Sequence, residues 1–205
     1  MTKTLPFVAS GTPLASARKA WVLVHGRGDN AHNFIRLAND LVADSQTAAV
    51  APLAPQGIWY PYSFMAPLEQ NEPYFTRSLE ALDQTLEELH SNGIDPENTY
   101  LLGFSQGGCL ALEYAARRGG IWGGIVAFSG ALITTDHEAS LNVPVIMTSS
   151  EGDAHIPAQR FLESTQVLLS QGATVSSELY PGSFHGIRPE DFARARLLPH
   201  SNIKN

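Results

Sequence analysis

The chain has 205 residues, 43% of them hydrophobic and 16% charged, which is enough apolar content to bury a full core as one domain over 1–205. A net charge of −7, with 13 Lys and Arg scattered along the chain, argues against a nucleic-acid or anionic-membrane surface. No run approaches the ~18 apolar residues that cross a bilayer, so no stable membrane insertion is expected. A single cysteine excludes an internal disulfide and fits a reducing compartment, which makes the cytoplasm the expected location.

The N-terminus carries Lys3, a short apolar stretch at 5–9 and an Ala15-Ser16-Ala17 that imitates a cleavage site. Pro6, Ser10, Gly11 and Pro13 interrupt the apolar run a signal peptide needs. The first predicted strand is 20–25, ending in His25-Gly26-Arg27-Gly28-Asp29, and a helix over 33–44 and a strand over 48–51 follow. Residues 52–67 then cluster Pro and Gly with Trp59, Tyr60, Tyr62 and Phe64. Open α/β sheets bind ligands beyond the carboxyl ends of their strands, so Trp59, Tyr60 and Phe64 are candidate pocket walls; cover for the sheet edge accounts for them equally well.

A helix is predicted over 72–92, with Leu79, Leu82, Leu86 and Leu89 on one stripe and Gly93 and Pro96 as its stop. The remaining strands are 99–102, 121–128, 143–149 and 174–180, and the remaining helices 106–118, 157–171 and 189–197. Short β-type runs alternating with amphipathic ones predict a parallel sheet flanked by helices. No heptad seam or apolar helix face makes an oligomeric state legible.

Between strand 99–102 and helix 106–118 stands Gly103-Phe104-Ser105-Gln106-Gly107. A strand that turns sharply into a helix holds its corner residue in a strained conformation, and the residues two before and two after must be small. Ser105 at that corner projects its hydroxyl beside a helix N-terminus that favours developing negative charge. A serine becomes a nucleophile only when a histidine removes its proton, and the histidine needs a carboxylate to fix its tautomer. On such a scaffold the order is serine, acid, histidine, each after a later strand.

Asp153, after Gly152 at the end of strand 143–149, is favoured as the acid over Glu151 and Asp136. His185, between Phe184 and Gly186, is favoured over His155, which follows the acid too soon, and over His200 in a polar tail. The backbone N–H groups of Gln106 and Arg27 are the expected oxyanion donors. His25 is expected to brace its loop, and Asp29 to cap the next helix or hold the loop closed. Cys109 is read as a packed residue. None of the seven histidines forms a His-x-x-x-His pair, and Gly26-Arg27-Gly28 lacks the third glycine of a phosphate fingerprint, so neither metal nor nucleotide cofactor is expected.

Taken together, the loop at 25–29, the elbow at 103–108, Gly152-Asp153-Ala154-His155-Ile156-Pro157 and Phe184-His185-Gly186 resemble the phospholipase/carboxylesterase family of α/β-hydrolases, which includes acyl-protein thioesterases and small bacterial carboxylesterases. The resemblance covers roughly 19–192. It implies an α/β-hydrolase fold with a mostly parallel central sheet and helices on both faces; the short segment between Gly57 and Glu72 points to a minimal lid or none. The resemblance also implies a Ser105–Asp153–His185 triad, backbone donors at Arg27 and Gln106, and cofactor-free cleavage of carboxylic esters or thioesters through an acyl-enzyme.

The chain departs from the family at Arg27, where eukaryotic thioesterases usually have Leu. That side chain either meets a distal carboxylate on a substrate or turns to solvent, the second being preferred. A short segment between Gly57 and Glu72 favours small soluble short-chain esters over lipidated proteins. Alternative readings are a lysophospholipase or acyl-protein thioesterase, a serine peptidase, a dienelactone-type hydrolase (often built on a cysteine nucleophile, absent from this elbow), or a non-catalytic binding module.

Overall fold

Apolar runs too short to be helices bury both faces only when strands lie side by side and helices cross back over the sheet. The computed structural model, which describes residues 7–37, 41 and 45–198, has this arrangement. Its strands are β1 (Phe7–Gly11), β2 (Lys19–Val24), β3 (Thr47–Pro52), β4 (Thr99–Phe104), β5 (Gly120–Ile121), β6 (Gly124–Phe128), β7 (Leu141–Asn142), β8 (Pro144–Ser150) and β9 (Thr174–Tyr180). The helices are α1 (Ala31–Phe34), α2 (Leu68–Asn71), α3 (Tyr74–Ser91), α4 (Gln106–Arg118), α5 (Ala158–Ser170) and α6 (Pro189–Leu197). Seven strands form one sheet in the order β1-β3-β2-β4-β6-β8-β9; only β1 runs antiparallel, and β5 and β7 pair separately.

Alternation along the strands divides the core into two layers. Val22, Val24, Val50, Leu101, Ile125 and Met147 face one side, where Leu82, Leu89, Leu110, Phe161 and Leu168 of α3, α4 and α5 cover them. Trp21, Leu23, Ala49, Leu102, Val126 and Phe128 face the other, under Phe34, Ile35 and Ala195. From β2 the chain passes to β3 on one side and later to β4 on the other, so the order reverses between β2 and β4. Such a reversal leaves a crevice above the strand ends, because the connections diverge to opposite sides.

Several predicted elements shift. β1 is an added edge strand: residues 7–11 have no strong apolar alternation, and the ladder to β3 (Phe7↔Pro52 to Gly11↔Ala48) supplies their order. The strand predicted over 121–128 is interrupted at Trp122 and Gly123, where Gly123 N–H turns back to Thr99 O at 3.0 Å. The helix predicted over 33–44 begins earlier, at Ala31, and tightens into a 3₁₀ turn over Ile35–Leu37. Residues 38–40 and 42–44 of that prediction lie outside the described residues.

Helix α4 is buried continuously from Gln106 to Ala116, and Glu113 is the charged residue inside that run. Its carboxylate accepts the N–H groups of Ile133 and Thr134 (both 2.9 Å), the Thr134 hydroxyl (2.6 Å) and Arg117 Nε (2.7 Å). Burial works to raise its pKa, but hydrogen bonds from His137 and Thr134 outweigh it and hold the carboxyl below its ordinary value. A depressed folded-state pKa contributes stability that is present above the ordinary value of 4.5 and is lost as the pH falls through the folded value. Glu113→Gln is therefore expected to lower the urea midpoint at neutral pH and to flatten its decline on acidification below 4.5. Equal acid-limb slopes in the two proteins would refute this.

Candidate active site

The turn from β4 into α4 holds Ser105 at φ 53° and ψ −120°, a conformation in which a side chain is strained. The Ser105 N–H bonds Phe128 O at 2.9 Å, and its carbonyl accepts Cys109 N–H at 2.9 Å. The flanking glycines are required by close approach of backbone to backbone. A Cβ on Gly103 would lie 2.2 Å from Gly107 O, and one on Gly107 would lie 2.0 Å from Val24 O. The first turn of α4 thus rests directly on the end of β2.

The acid and the histidine come from the ends of neighbouring strands β8 and β9, whose last residues Ser150 and Tyr180 are paired. Glu151 N–H bonds Tyr180 O, and Gly152 N–H bonds Gly182 O, both at 2.9 Å, so the two loops are tied together beyond the sheet. His185 Nδ1 lies 2.8 Å from Asp153 Oδ2, and Nε2 lies 2.9 Å from Ser105 Oγ. An ionised carboxylate only accepts, so Nδ1 carries the proton and Nε2 accepts from the serine hydroxyl.

Asp153 is buried and accepts the N–H groups of His155 (2.8 Å) and Ile156 (3.2 Å) on Oδ1 and the Ser149 hydroxyl (3.2 Å) on Oδ2. Burial raises its pKa, but hydrogen bonds from His185 and the His155 N–H prevail and hold it below the usual carboxylate range. Asp153 is therefore charged at neutral pH.

Gln106 is the first residue of α4, so its N–H has no intrahelical partner. Among the described residues neither this N–H nor that of Arg27 makes a hydrogen bond. Both stand just beyond the ends of adjacent strands, β4 and β2, where Val24 pairs with Gly103. His25 is fully buried, its Nδ1 bonds Gly26 O at 2.8 Å, and burial lowers its pKa, so it braces the loop as a neutral ring. The helix cap is Asn30, whose side chain accepts Asn33 N–H at 3.0 Å; Asp29 instead holds the Asn33 amide at 3.2 Å.

A cavity of about 410 Å³ opens above Ser105, with Tyr60, Tyr62, Phe64, Phe104, His155 and His185 among its walls. Tyr60 and Phe64 stand where the sequence reading put them. Trp59 does not: its indole is buried against the His25 ring (centroids 5.0 Å) and donates to His25 O at 2.8 Å, which draws it out of the cavity. The Arg27 side chain is exposed, as the solvent reading has it, and its guanidinium also bonds the carbonyls of Tyr60, Pro61 and Tyr62 at 2.7–2.9 Å. Cys109 lies at the cavity base; burial pushes its thiol up to about 12, so it stays protonated and is no rival nucleophile.

The sequence reading missed several supports. The ring of His155 packs edge-on against His185 (4.7 Å), with Phe104 on another side (5.2 Å). Arg188 lies 4.1 Å over the Tyr180 ring and donates to Ser150 Oγ, which itself donates to Phe184 O at 2.6 Å and so fixes the residue before His185. These contacts join distant strand ends, and no local spacing encodes them. Among the described residues no group of three His, Cys, Asp or Glu side chains converges to hold a metal ion.

A mostly parallel sheet with a strained serine corner and its histidine and acid on later strand ends defines an α/β-hydrolase. The chain belongs to the phospholipase/carboxylesterase family, whose model matches residues 6–197. The crystal structure of a phospholipase/carboxylesterase from Dyadobacter fermentans is 36% identical, with a TM-score of 0.88 over 100% of this chain and 99% of that one. Acyl-protein thioesterase 1 of Saccharomyces cerevisiae is 28% identical over 85% of this chain and 88% of its own length. Acyl-protein thioesterase 1 of Gibberella zeae is 32% identical over 53% of this chain and 52% of its own. The chain spans about half the length of several of the curated relatives it matches.

The glycine contacts give a direct test. A methyl on Gly107 meets a carbonyl of β2 that cannot retreat without disturbing the β2–β4 ladder. Overpacking ordinarily costs about 1–3 kcal/mol, and Gly107→Ala is expected at or above ~3 kcal/mol in urea unfolding. An unchanged midpoint would contradict the close approach.

Proposed function

We propose that this chain is a serine hydrolase that cleaves carboxylic esters or thioesters, with Ser105 as nucleophile, His185 as general base and acid, and Asp153 as the group that orients His185. The observation that carries the reading is the continuous path from Ser105 Oγ to His185 Nε2 (2.9 Å) and from His185 Nδ1 to Asp153 Oδ2 (2.8 Å). Ser105 Oγ bonds to the substrate carbonyl carbon while its proton passes to His185 Nε2. The carbonyl electrons move onto oxygen, where the Arg27 and Gln106 N–H groups donate to the oxyanion. Collapse breaks the bond to the alcohol or thiol, which takes the proton from His185 and leaves an acyl-Ser105. Water then attacks, its proton goes to His185, and the acid departs with Ser105 restored.

The imidazolium formed in each half-reaction sits beside a carboxylate already ionised at neutral pH, so the charge separation is matched in place. We read small, short-chain acyl groups as the substrates, from the short segment between Gly57 and Glu72 and the wall at Tyr60–Phe64 that bounds the cavity. The thioesterase names of the curated relatives support thioesters as well as oxygen esters. The free, buried cysteine fits a reducing compartment, and we read the cytoplasm as the site of action. Among the described residues no helix is long and apolar enough to cross a membrane.

A fluorophosphonate probe is expected to label Ser105 and no other serine, as read by peptide mass spectrometry. Ser105→Ala is expected to abolish labelling and to lower kcat on p-nitrophenyl acetate by about 10⁴ or more, and Asp153→Asn to lower it by about 10⁴ through the wrong tautomer of His185. Labelling elsewhere, or a Ser105→Ala protein of undiminished activity, would overturn the reading. A binding module would show neither labelling nor turnover.

A further inference from the structure

Residues Trp59 to Ser63 belong to no helix or strand, yet every carbonyl in the run is taken by a side chain. Ser78 Oγ donates to Trp59 O at 2.7 Å, and Asn71 Nδ2 to Ser63 O at 3.0 Å. Gln106 Nε2 donates to Tyr60 O at 2.7 Å. Arg27 reaches three successive carbonyls, Tyr60 O at 2.9 Å, Pro61 O at 2.8 Å and Tyr62 O at 2.7 Å. Two N–H groups are held likewise, Trp59 N–H by Gln106 Oε1 (3.1 Å) and Tyr62 N–H by Asn71 Oδ1 (2.8 Å).

This strap has space on both sides. Toward Ser105 lies the cavity of about 410 Å³. Beyond the strap lies a second cavity of about 480 Å³, whose walls include Leu53, Ile58, Trp59, Tyr74 and Ala81. Pro61 lines both, so the strap is the partition between them. Leu53, Ile58 and Tyr74 stay exposed in the second cavity, an apolar surface that an alkyl chain could cover.

We infer that Arg27 is a specificity-determining residue: it clamps Tyr60–Tyr62 shut as a partition and confines the acyl group to the first cavity. The inference rests on the proposed ester cleavage. Only a planar fork of donors spans three neighbouring carbonyls in fixed geometry; a lysine ammonium is a point donor on a flexible stem. No carboxylate pairs with Arg27 among the described residues, and three of its five N–H donors go to the strap. Asn71 grips the far end of the same strap from outside the first cavity, which makes it an independent handle.

The test compares kcat/KM on p-nitrophenyl butyrate and octanoate for the wild-type chain, Arg27→Leu, Arg27→Lys and Asn71→Ala. Amide exchange of residues 59–64 is read by mass spectrometry in the same proteins. Because Arg27 also supplies an oxyanion N–H in the proposed reaction, the diagnostic is the ratio of the two esters and not either rate. Wild type is expected to prefer butyrate. Arg27→Leu is expected to raise the octanoate-to-butyrate ratio about tenfold, with faster exchange across 59–64; Arg27→Lys should fall between, and Asn71→Ala should move in the same direction.

An equal loss on both esters with an unchanged ratio in the two strap variants would overturn the inference, as would unaltered exchange in Arg27→Leu. Should Arg27→Leu fail to fold, Asn71→Ala carries both readouts. A wild-type chain inactive on every ester would refute the proposed reaction, while the exchange measurement decides the clamp by itself.

Discussion

The arrangement depends on one close approach, the backbone of Gly107 against the carbonyls of Val24 and His25. With no side chain at Gly107 or Gly103, α4 starts directly above the ends of β2 and β4. Any larger residue would lift the helix and separate Gln106 N–H from Arg27 N–H. The same approach keeps Ser105 in its left-handed conformation, a strain of roughly 1–3 kcal/mol. Burial of α4 from Gln106 to Ala116 offsets it, each fully buried aliphatic side chain contributing about 1.5–3 kcal/mol. The strained corner is thus held by a helix buried continuously from Gln106 to Ala116.

Around that corner the loops are held both by backbone bonds, some within one loop, and by side chains from distant elements. Asp153 is positioned by the N–H groups of His155 and Ile156, and the His185 turn by Ser150 and Arg188. The segment at 59–63 is held by Arg27, Asn71, Ser78 and Gln106. Irregular backbone near a cavity leaves donors and acceptors that must be satisfied somewhere, at about 1–3 kcal/mol for each buried group left unpaired. Satisfying them with side chains lets the wall stay irregular and still be rigid. The charged supports are matched in the same way: Asp153 and Glu113 both sit below the usual carboxylate range because hydrogen bonds outweigh burial.

The local grammar of the sequence carried the elbow and the order of its partners. Gly103, Ser105 and Gly107 are fixed by a turn that permits little else, Asp153 follows a strand marked by an apolar run, and His185 follows the more polar β9 (Thr174–Tyr180), which β-type residues mark less sharply. Legibility failed where order comes from a distant partner. β1 has no periodicity of its own and is ordered by pairing with β3. Trp59 looked like its aromatic neighbours, and only the position of His25 O determines that its ring turns away from the cavity. His155 follows Asp153 too closely to be its base, and that spacing carries no sign of its ring packing against His185.

Arg27 shows why chemistry is easier to read from sequence than specificity. Its backbone occupies a position common to the scaffold, at the end of β2 beside the elbow, so strand and glycine signals locate it. Its side chain answers to Tyr60, Pro61 and Tyr62, more than thirty residues away. Backbone geometry at a strand end is set by the sheet and tolerates many side chains, whereas a guanidinium finds three carbonyls only if an irregular loop offers them together. Under the proposed function and the clamp inferred from it, the two roles meet in one residue, so a change of side chain at 27 acts on the cavity wall and also on the loop that presents its N–H. Substrate range and turnover are therefore coupled at this position, and selection for a longer acyl group would have to relax the wall without loosening the loop. Asn71, Ser78 and Gln106 hold the same strap from three other directions, and of these only Gln106 shares the problem.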